Sequence, residues 1–142
     1  MFTRIVAAID GSPVSKKALE YAIDEAKAWN SDLHAVYVIE TGMLSSIPMD
    51  NTLEVIYALL ENEGKETLEY ARNVAATAGV TITTHMKQGH AGNEILGVAE
   101  SENADLIVLG SHGKTEIDRF LLGSVTTYVV RHSNITTMVV RS

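Results

Sequence analysis

The sequence predicts an α/β fold: one domain, an open parallel sheet of five strands, helices on both faces. Three observations predict it. Short β-branched and apolar runs alternate with longer segments whose apolar residues recur every three or four positions. Turn and cap residues separate the two kinds of segment. One run near the C-terminal third, Asp105 to Leu109 (DLIVL), is almost wholly apolar, as a central parallel strand buried on both faces should be. The resulting order, βαβαβαβαβ, calls for parallel pairing with helical crossovers. The 142 residues suit a single domain spanning 1–142, with no internal repeat, low-complexity segment or linker.

Each element follows from its residues. Thr3 to Ile9 (TRIVAAI) predicts the first strand, ended by the turn signal Asp10-Gly11. Ser12-Pro13 predicts a helix start, with Ser12 as N-cap and Pro13 in the first helical position. Val14, Ala18, Ala22 and Ala26, joined by Leu19, Ile23 and Trp29, carry that helix to about Asn30. Asp32 to Ile39 predicts the second strand, and Glu40 to Met49 a looser segment. Asp50 or Asn51 caps a long helix to about Ala78, which Gly64 should weaken or bend; Gly79 suits the position just past its end. Val80 to Met86 alternates, which suits a third strand near a sheet edge. Gly89 and Gly92 bracket a short loop before a helix carrying Ile95, Leu96 and Ala99 to about Glu102. After the fourth strand, Asp105 to Leu109, a fourth helix begins near Ser124, and Thr136 to Val140 is the last strand.

Composition removes several classes of function. The chain has no cysteine, which excludes disulfides, zinc–thiolate sites and thiol catalysis and fits a cytoplasmic location. A net charge of −7 argues against a broad nucleic-acid footprint. No apolar run approaches the roughly 20 residues of a membrane span, and the N-terminus has no signal-peptide layout. His34, His85, His90, His112 and His132 show no metal-ligand pairing along the sequence, so no histidine metal site is expected.

The chemistry concentrates in Gly110 to Ser124, GSHGKTEIDRFLLGS. Its Gly-Lys-Thr resembles the end of a P-loop, but that motif needs a glycine five positions before Gly113, where Val108 stands. A geometric argument points to phosphate instead. Ligands of open α/β sheets bind beyond the carboxyl ends of the strands, where strand order reverses. With strands one and four adjacent there, Asp10-Gly11-Ser12 meets the Gly110 to Gly123 loop. Gly110 and Gly113 allow close backbone approach to a ligand. Gly123-Ser124 opens a helix whose first amides and dipole favour an anion. Plainer roles stand beside these. Gly110 also suits a simple turn, Gly123-Ser124 a simple helix entry, and Asp10 a cap for the first helix. Lys114 and Arg119 suit solvated loop charges, and His112 an exposed polar residue.

The spacing Gly110-x2-Gly113-x9-Gly123-Ser124 resembles the G-x2-G-x9-G-[ST] signature of the universal stress protein family, in its ATP-binding subgroup. IVAAIDGSPVSKKALEYA and ENADLIVLGSHG extend the resemblance beyond the motif. It implies a Rossmann-like sheet in order 3-2-1-4-5 with two helices on each side, and a homodimer paired through about Thr136 to Arg141. It implies bound ATP, or ADP or AMP, with magnesium or manganese on the phosphates. Asp10 and the preceding Ala8 and Ile9 would lie near the adenosine, and Val38 would contact adenine. Gly110 and Gly113 would approach ribose and the α/β-phosphates, with His112 beside them. Gly123, Ser124 and Val125 would hold the phosphate tail, and Leu109 would line the pocket. One local departure is Gly89-His90-Ala91-Gly92, where many members carry a proline.

The function this implies is a nucleotide-dependent switch or sensor in the stress response. No catalytic set is recognised. Lys114 and Arg119 are the loop cations, and Asp10 or Asp118 possible metal or water ligands, without the spacing of a hydrolytic site. The rivals are a slow ATP hydrolase or nucleotidyl-transfer enzyme, and a nucleotide-free dimeric interaction module.

Overall fold

The computed structural model describes residues 1–45, 47–48, 50–113 and 122–142. Five strands, β1 (Arg4–Ala8), β2 (Asp32–Glu40), β3 (Ile82–Gly89), β4 (Leu106–Gly110) and β5 (Thr136–Val140), form one sheet in the order β3-β2-β1-β4-β5. Every pairing is parallel. Four helices connect them: α1 (Pro13–Trp29), α2 (Asn51–Thr77), α3 (Ala91–Ser101) and α4 (Ser124–His132). The predicted class and element order are therefore those of the molecule.

The sheet divides the core in two, because successive strand residues face opposite sides. Ile5, Ala7, Leu106 and Val108 pack with α1 and α2, through Leu19, Ile23, Leu68 and Ala71. Val6, Ile107 and Leu109 pack with α3 and α4, through Ile95, Leu96 and Val129. β4 is buried along its whole length, as its apolar run requires. β3 lies at an edge, with its residues half-buried or exposed.

The caps act where the sequence places them. Ser12 Oγ accepts the Ser15 amide at 3.2 Å, and Asn30 closes α1 in the left-handed region with φ 54°. Asp50 Oδ1 accepts the Thr52 amide at 2.8 Å. Gly79 takes φ +76° just past α2.

Four details differ from expectation. β3 begins at Ile82, not Val80, because the Val80 amide donates to the Ala75 carbonyl at 2.8 Å and belongs to the end of α2. Gly64 does not interrupt α2, which runs unbroken for 27 residues. A Cβ there would lie 2.8 Å from the Tyr37 ring and 2.9 Å from Met86 Cε, so glycine lets α2 approach β2 and β3 closely. Gly92 lies inside α3, and His90 caps that helix by accepting the Asn93 amide at Nδ1. Part of the looser segment is ordered: Thr41–Leu44 forms a 3₁₀ turn, with Ser45 Oγ donating to the Gly42 carbonyl at 2.8 Å.

Candidate functional site

The order β3-β2-β1-β4-β5 reverses between β1 and β4, so the loops that follow these two strands meet. On the β1 side the Ile9 amide still pairs with the Val36 carbonyl at 3.0 Å. Asp10 then turns the chain. Its Oδ1 accepts the Ser12 amide at 2.9 Å, and its own amide donates to Ser15 Oγ at 3.2 Å. Gly11 takes φ +86°, a conformation L side chains rarely adopt. Asp10 is therefore not the cap of α1; Ser12 is, and Asp10 braces the turn ahead of it.

On the β4 side the Ser111 amide donates to the Val140 carbonyl at 2.8 Å, and the Ser111 carbonyl accepts the Gly123 amide at 2.7 Å. Thr126 Oγ1 donates to the Gly110 carbonyl at 2.7 Å. These bonds tie the start of α4 to the end of β4. A Cβ at Gly113 would lie 3.2 Å from Asp10 Oδ2, which places the two loops in contact. A Cβ at Gly110 would lie 3.0 Å from Val14 Cγ1, so glycine there has a packing reason on α1 beside any ligand reason.

The remaining predicted residues sort by face. Ala8, Val38 and Val125 are half-buried against the α3/α4 core, and Leu109 belongs to that core, so all four share one side at the carboxyl ends of the strands. Ile9 does not join them: alternation sends its side chain into the α1/α2 core, 5% exposed, and its amide is spent on β2. Gly123 is the N-cap of α4, and Ser124 opens the helix. The amides of an N-terminal turn lack intrahelical carbonyl partners, and the dipole there favours an anion. His112 is half-buried with Nδ1 3.2 Å from the Gly113 carbonyl. Lys114, Asp118 and Arg119 lie outside the described residues.

Sequence reasoning missed two features. One is Ser111, 1% exposed, whose hydroxyl has no partner among the described residues. A buried hydroxyl normally has one, and only its place between β4 and the glycine loop hinted at a role. The other is Glu40, at the end of β2, whose Oε2 accepts the Ala91 amide at 2.8 Å. That bond fixes the β3–α3 junction and uses an amide that a proline at 91 would lack.

The architecture has known counterparts. The universal stress protein family model matches residues 1–141. The chain belongs to the universal stress protein family. It is 38% identical over 141 residues to the universal stress protein MJ0531 of Methanocaldococcus jannaschii, covering 99% of this chain and 83% of that one. The solved structure of MJ0577 from the same archaeon superposes with a TM-score of 0.87 at 27% identity, over 100% of this chain and 97% of that one. A universal stress protein solved in complex with cAMP has a TM-score of 0.76 at 25% identity, over 99% of this chain and 97% of that one.

The far end of the sheet holds a different cluster. His34 Nδ1 lies 2.9 Å from His85 Nε2, and His34 Nε2 lies 3.8 Å from Glu102 Oε2. Burial is the main influence on His85 and lowers its pKa below the ordinary value of 6.5. The adjacent His34 adds to that, Glu102 opposes it, and Lys87 adds a smaller push. No spacing rule brings out residues 51 and 17 positions apart; the β2–β3 register does, pairing His34 with Thr83 and Val36 with His85.

Proposed function

We propose that this universal stress protein binds ATP across the carboxyl ends of β1 and β4 and works as a nucleotide-dependent switch. The observation that carries this reading is the contact of Gly113 with Asp10 beside the start of α4. It assembles an acidic turn, a glycine loop and a helix N-terminus within one ligand's reach. Ala8, Val38 and Leu109 supply an apolar side for adenine, Gly110, Gly113 and His112 follow the ribose and first phosphates, and Gly123, Ser124 and Val125 receive the phosphate tail. Magnesium or manganese would ride on the phosphates, with Asp10 nearby. The cAMP complex of a related protein supports an adenine nucleotide in this family's fold.

A switch suits a site built from backbone groups, which bind phosphate without supplying an activated nucleophile. β5 is a sheet edge, so a homodimer through it would pair its outer edge and couple the α4 end to a partner. Among the described residues no helix is long and apolar enough to cross a membrane. A cytoplasmic location goes with the absence of cysteine.

The test begins with freshly purified protein, denatured and its small molecules separated by ion exchange, followed by calorimetric ATP titration with magnesium. Recovered adenine nucleotide, or saturable ATP binding lost in Gly113→Val combined with Ser124→Ala, is the expected result. Neither release nor binding heat would overturn the reading and leave a nucleotide-free interaction module. Phosphate released many times per protein, and lost in Asp10→Ala or Lys114→Ala, would replace the switch with a hydrolase.

A further inference from the structure

We infer that His34, His85 and Glu102 form a binding site for a divalent transition-metal ion, with zinc as the natural occupant, at the amino-end side of the sheet. The argument starts from face and register. His34 lies on the α3/α4 side of β2, the side of Val36 and Val38. His85 lies on the same side of β3, because it pairs with Val36. Glu102 is the C-cap of α3, where the chain leaves the helix over these two strands. Three elements distant in sequence thus each contribute one ligand-type side chain to a single point.

The geometry suits a metal. One donor atom from each residue can be chosen so that all three lie within 4.8 Å of one another. Zinc holds nitrogen and oxygen ligands at about 2.0–2.2 Å, so tetrahedral donors stand about 3.3 Å apart. His34 turns Nδ1 to His85 and Nε2 to Glu102, so one of its nitrogens would serve the metal, and the chosen donors, all within 4.8 Å of one another, would draw in by up to about 1.5 Å. The two imidazoles and one carboxylate are a donor set that suits zinc, with a fourth position left for water.

The setting supplies an entry path. A cavity of ≈ 610 Å³ at the amino ends of the strands has His34, Thr83 and Glu102 in its wall, together with Asp32. His34 itself is 8% exposed, an unusual position for a side chain with two polar nitrogens. The His34–His85 contact satisfies one nitrogen on each ring. Glu102 faces the other nitrogen of His34, and a cation among the three would draw all of them together. His34 and Val38 stand four positions apart on β2, about 13 Å along the strand. Metal and nucleotide would therefore bind independently, and this inference does not rest on the proposed ATP site.

The test uses the full chain, stripped with chelator and freed of nucleotide, titrated with Co²⁺ and then Zn²⁺ alone. The expected result is one equivalent of Co²⁺ bound with the visible d–d absorption of a low-coordinate complex, displaced by Zn²⁺, and a Zn²⁺-dependent rise in Tm. Outer ligand partners cost about 10–100-fold in affinity, so removing a direct ligand by His85→Gln or Glu102→Gln should cost at least about 100-fold. His34 is left intact, because loss of so buried a residue would confuse misfolding with lost binding. Circular dichroism checks that both variants fold. His132→Gln, on the exposed side of α4, should leave binding unchanged. No saturable uptake at micromolar metal would overturn the site, and so would affinity unchanged in either His85→Gln or Glu102→Gln.

Discussion

The two ends of the sheet solve different problems with different chemistry. At the carboxyl ends the polar groups on offer belong largely to the backbone: the glycine loop after β4, the turn at Asp10 and the first turn of α4. Side chains there brace the backbone, as Thr126 does for the Gly110 carbonyl. At the amino ends the backbone is closed off and side chains carry the polar chemistry. The Asp105 carboxylate accepts the amides of Thr3 and Arg4 at 2.8 to 3.0 Å. Ser31 Oγ donates to the Phe2 carbonyl, and His34, His85 and Glu102 gather beside them. The carboxyl end is built from small residues and close packing. The amino end is built from charge and hydrogen bonds. Substitutions at the first should therefore cost packing at every pH, and substitutions at the second should cost charge and depend on pH.

The largest effect is expected at Gly92, in the first turn of α3. A Cβ there would overlap the Tyr128 ring, lying 2.9 Å from its Cγ. The ring has little room to yield. It stacks on His132 with centroids 4.1 Å apart, meets His90 edge-on at 4.7 Å, and its hydroxyl bonds Asn93. Gly92→Ala should lower stability by about 3 kcal/mol, an overpacking cost, read as a shifted urea midpoint with an unchanged slope. Gly110→Ala comes next, at about 2 kcal/mol by the same mechanism, because its Cβ would press on Val14 inside the core. The double variant Gly110→Ala with Val14→Ala should recover part of that loss. Failure to recover would mean that Gly110 serves the backbone path and not the contact with α1. Thr126→Val keeps the shape and removes the hydroxyl, leaving a buried carbonyl one bond short, for about 1.5 kcal/mol. All three losses should be the same at pH 5 and pH 7.

How much of this was legible in the sequence follows the same division. The fold was legible nearly throughout, because apolar periodicity and caps such as Ser12, Asp50 and Gly79 are local signals. So was the meeting of the Asp10 turn with the loop after β4, because the element order puts β1 beside β4 and Gly110, Gly113 and Gly123 stand in plain view. What was not legible was the reason for a glycine when its neighbour is remote. Gly64 reads as a helix breaker until Tyr37 and Met86 are seen against it, and Gly92 reads as loop until Tyr128 is. The start of β3 was misplaced for a similar reason: Val80 has strand propensity, but the cap of α2 claims its amide. The amino-end cluster was invisible, since only strand register brings His34 to His85.

The smallest predicted effect is the one that separates the two ends most cleanly. Partial burial pushes the Asp105 carboxyl up, but the amides of Thr3 and Arg4 outweigh it and hold its pKa below the ordinary value of 3.8. These bonds fix the chain just before β1, while the Asp105 amide donates to the Arg4 carbonyl at 2.9 Å and fixes the entry to β4. A carboxyl depressed in the folded state contributes stability that is fully present above its unfolded pKa. As the pH falls through the folded value, the native carboxylate takes up its proton and that contribution is lost. Asp105→Asn keeps an acceptor for one amide but removes the charge, so it should cost about 1 kcal/mol at pH 7. The gap between wild type and variant should then narrow as the solution is acidified below pH 4, in paired urea titrations, while the gap for Gly110→Ala stays constant over the same range. A constant gap for Asp105→Asn would mean that geometry alone, and not charge, holds the amino end together, and the contrast between the two ends would fail at its simplest point.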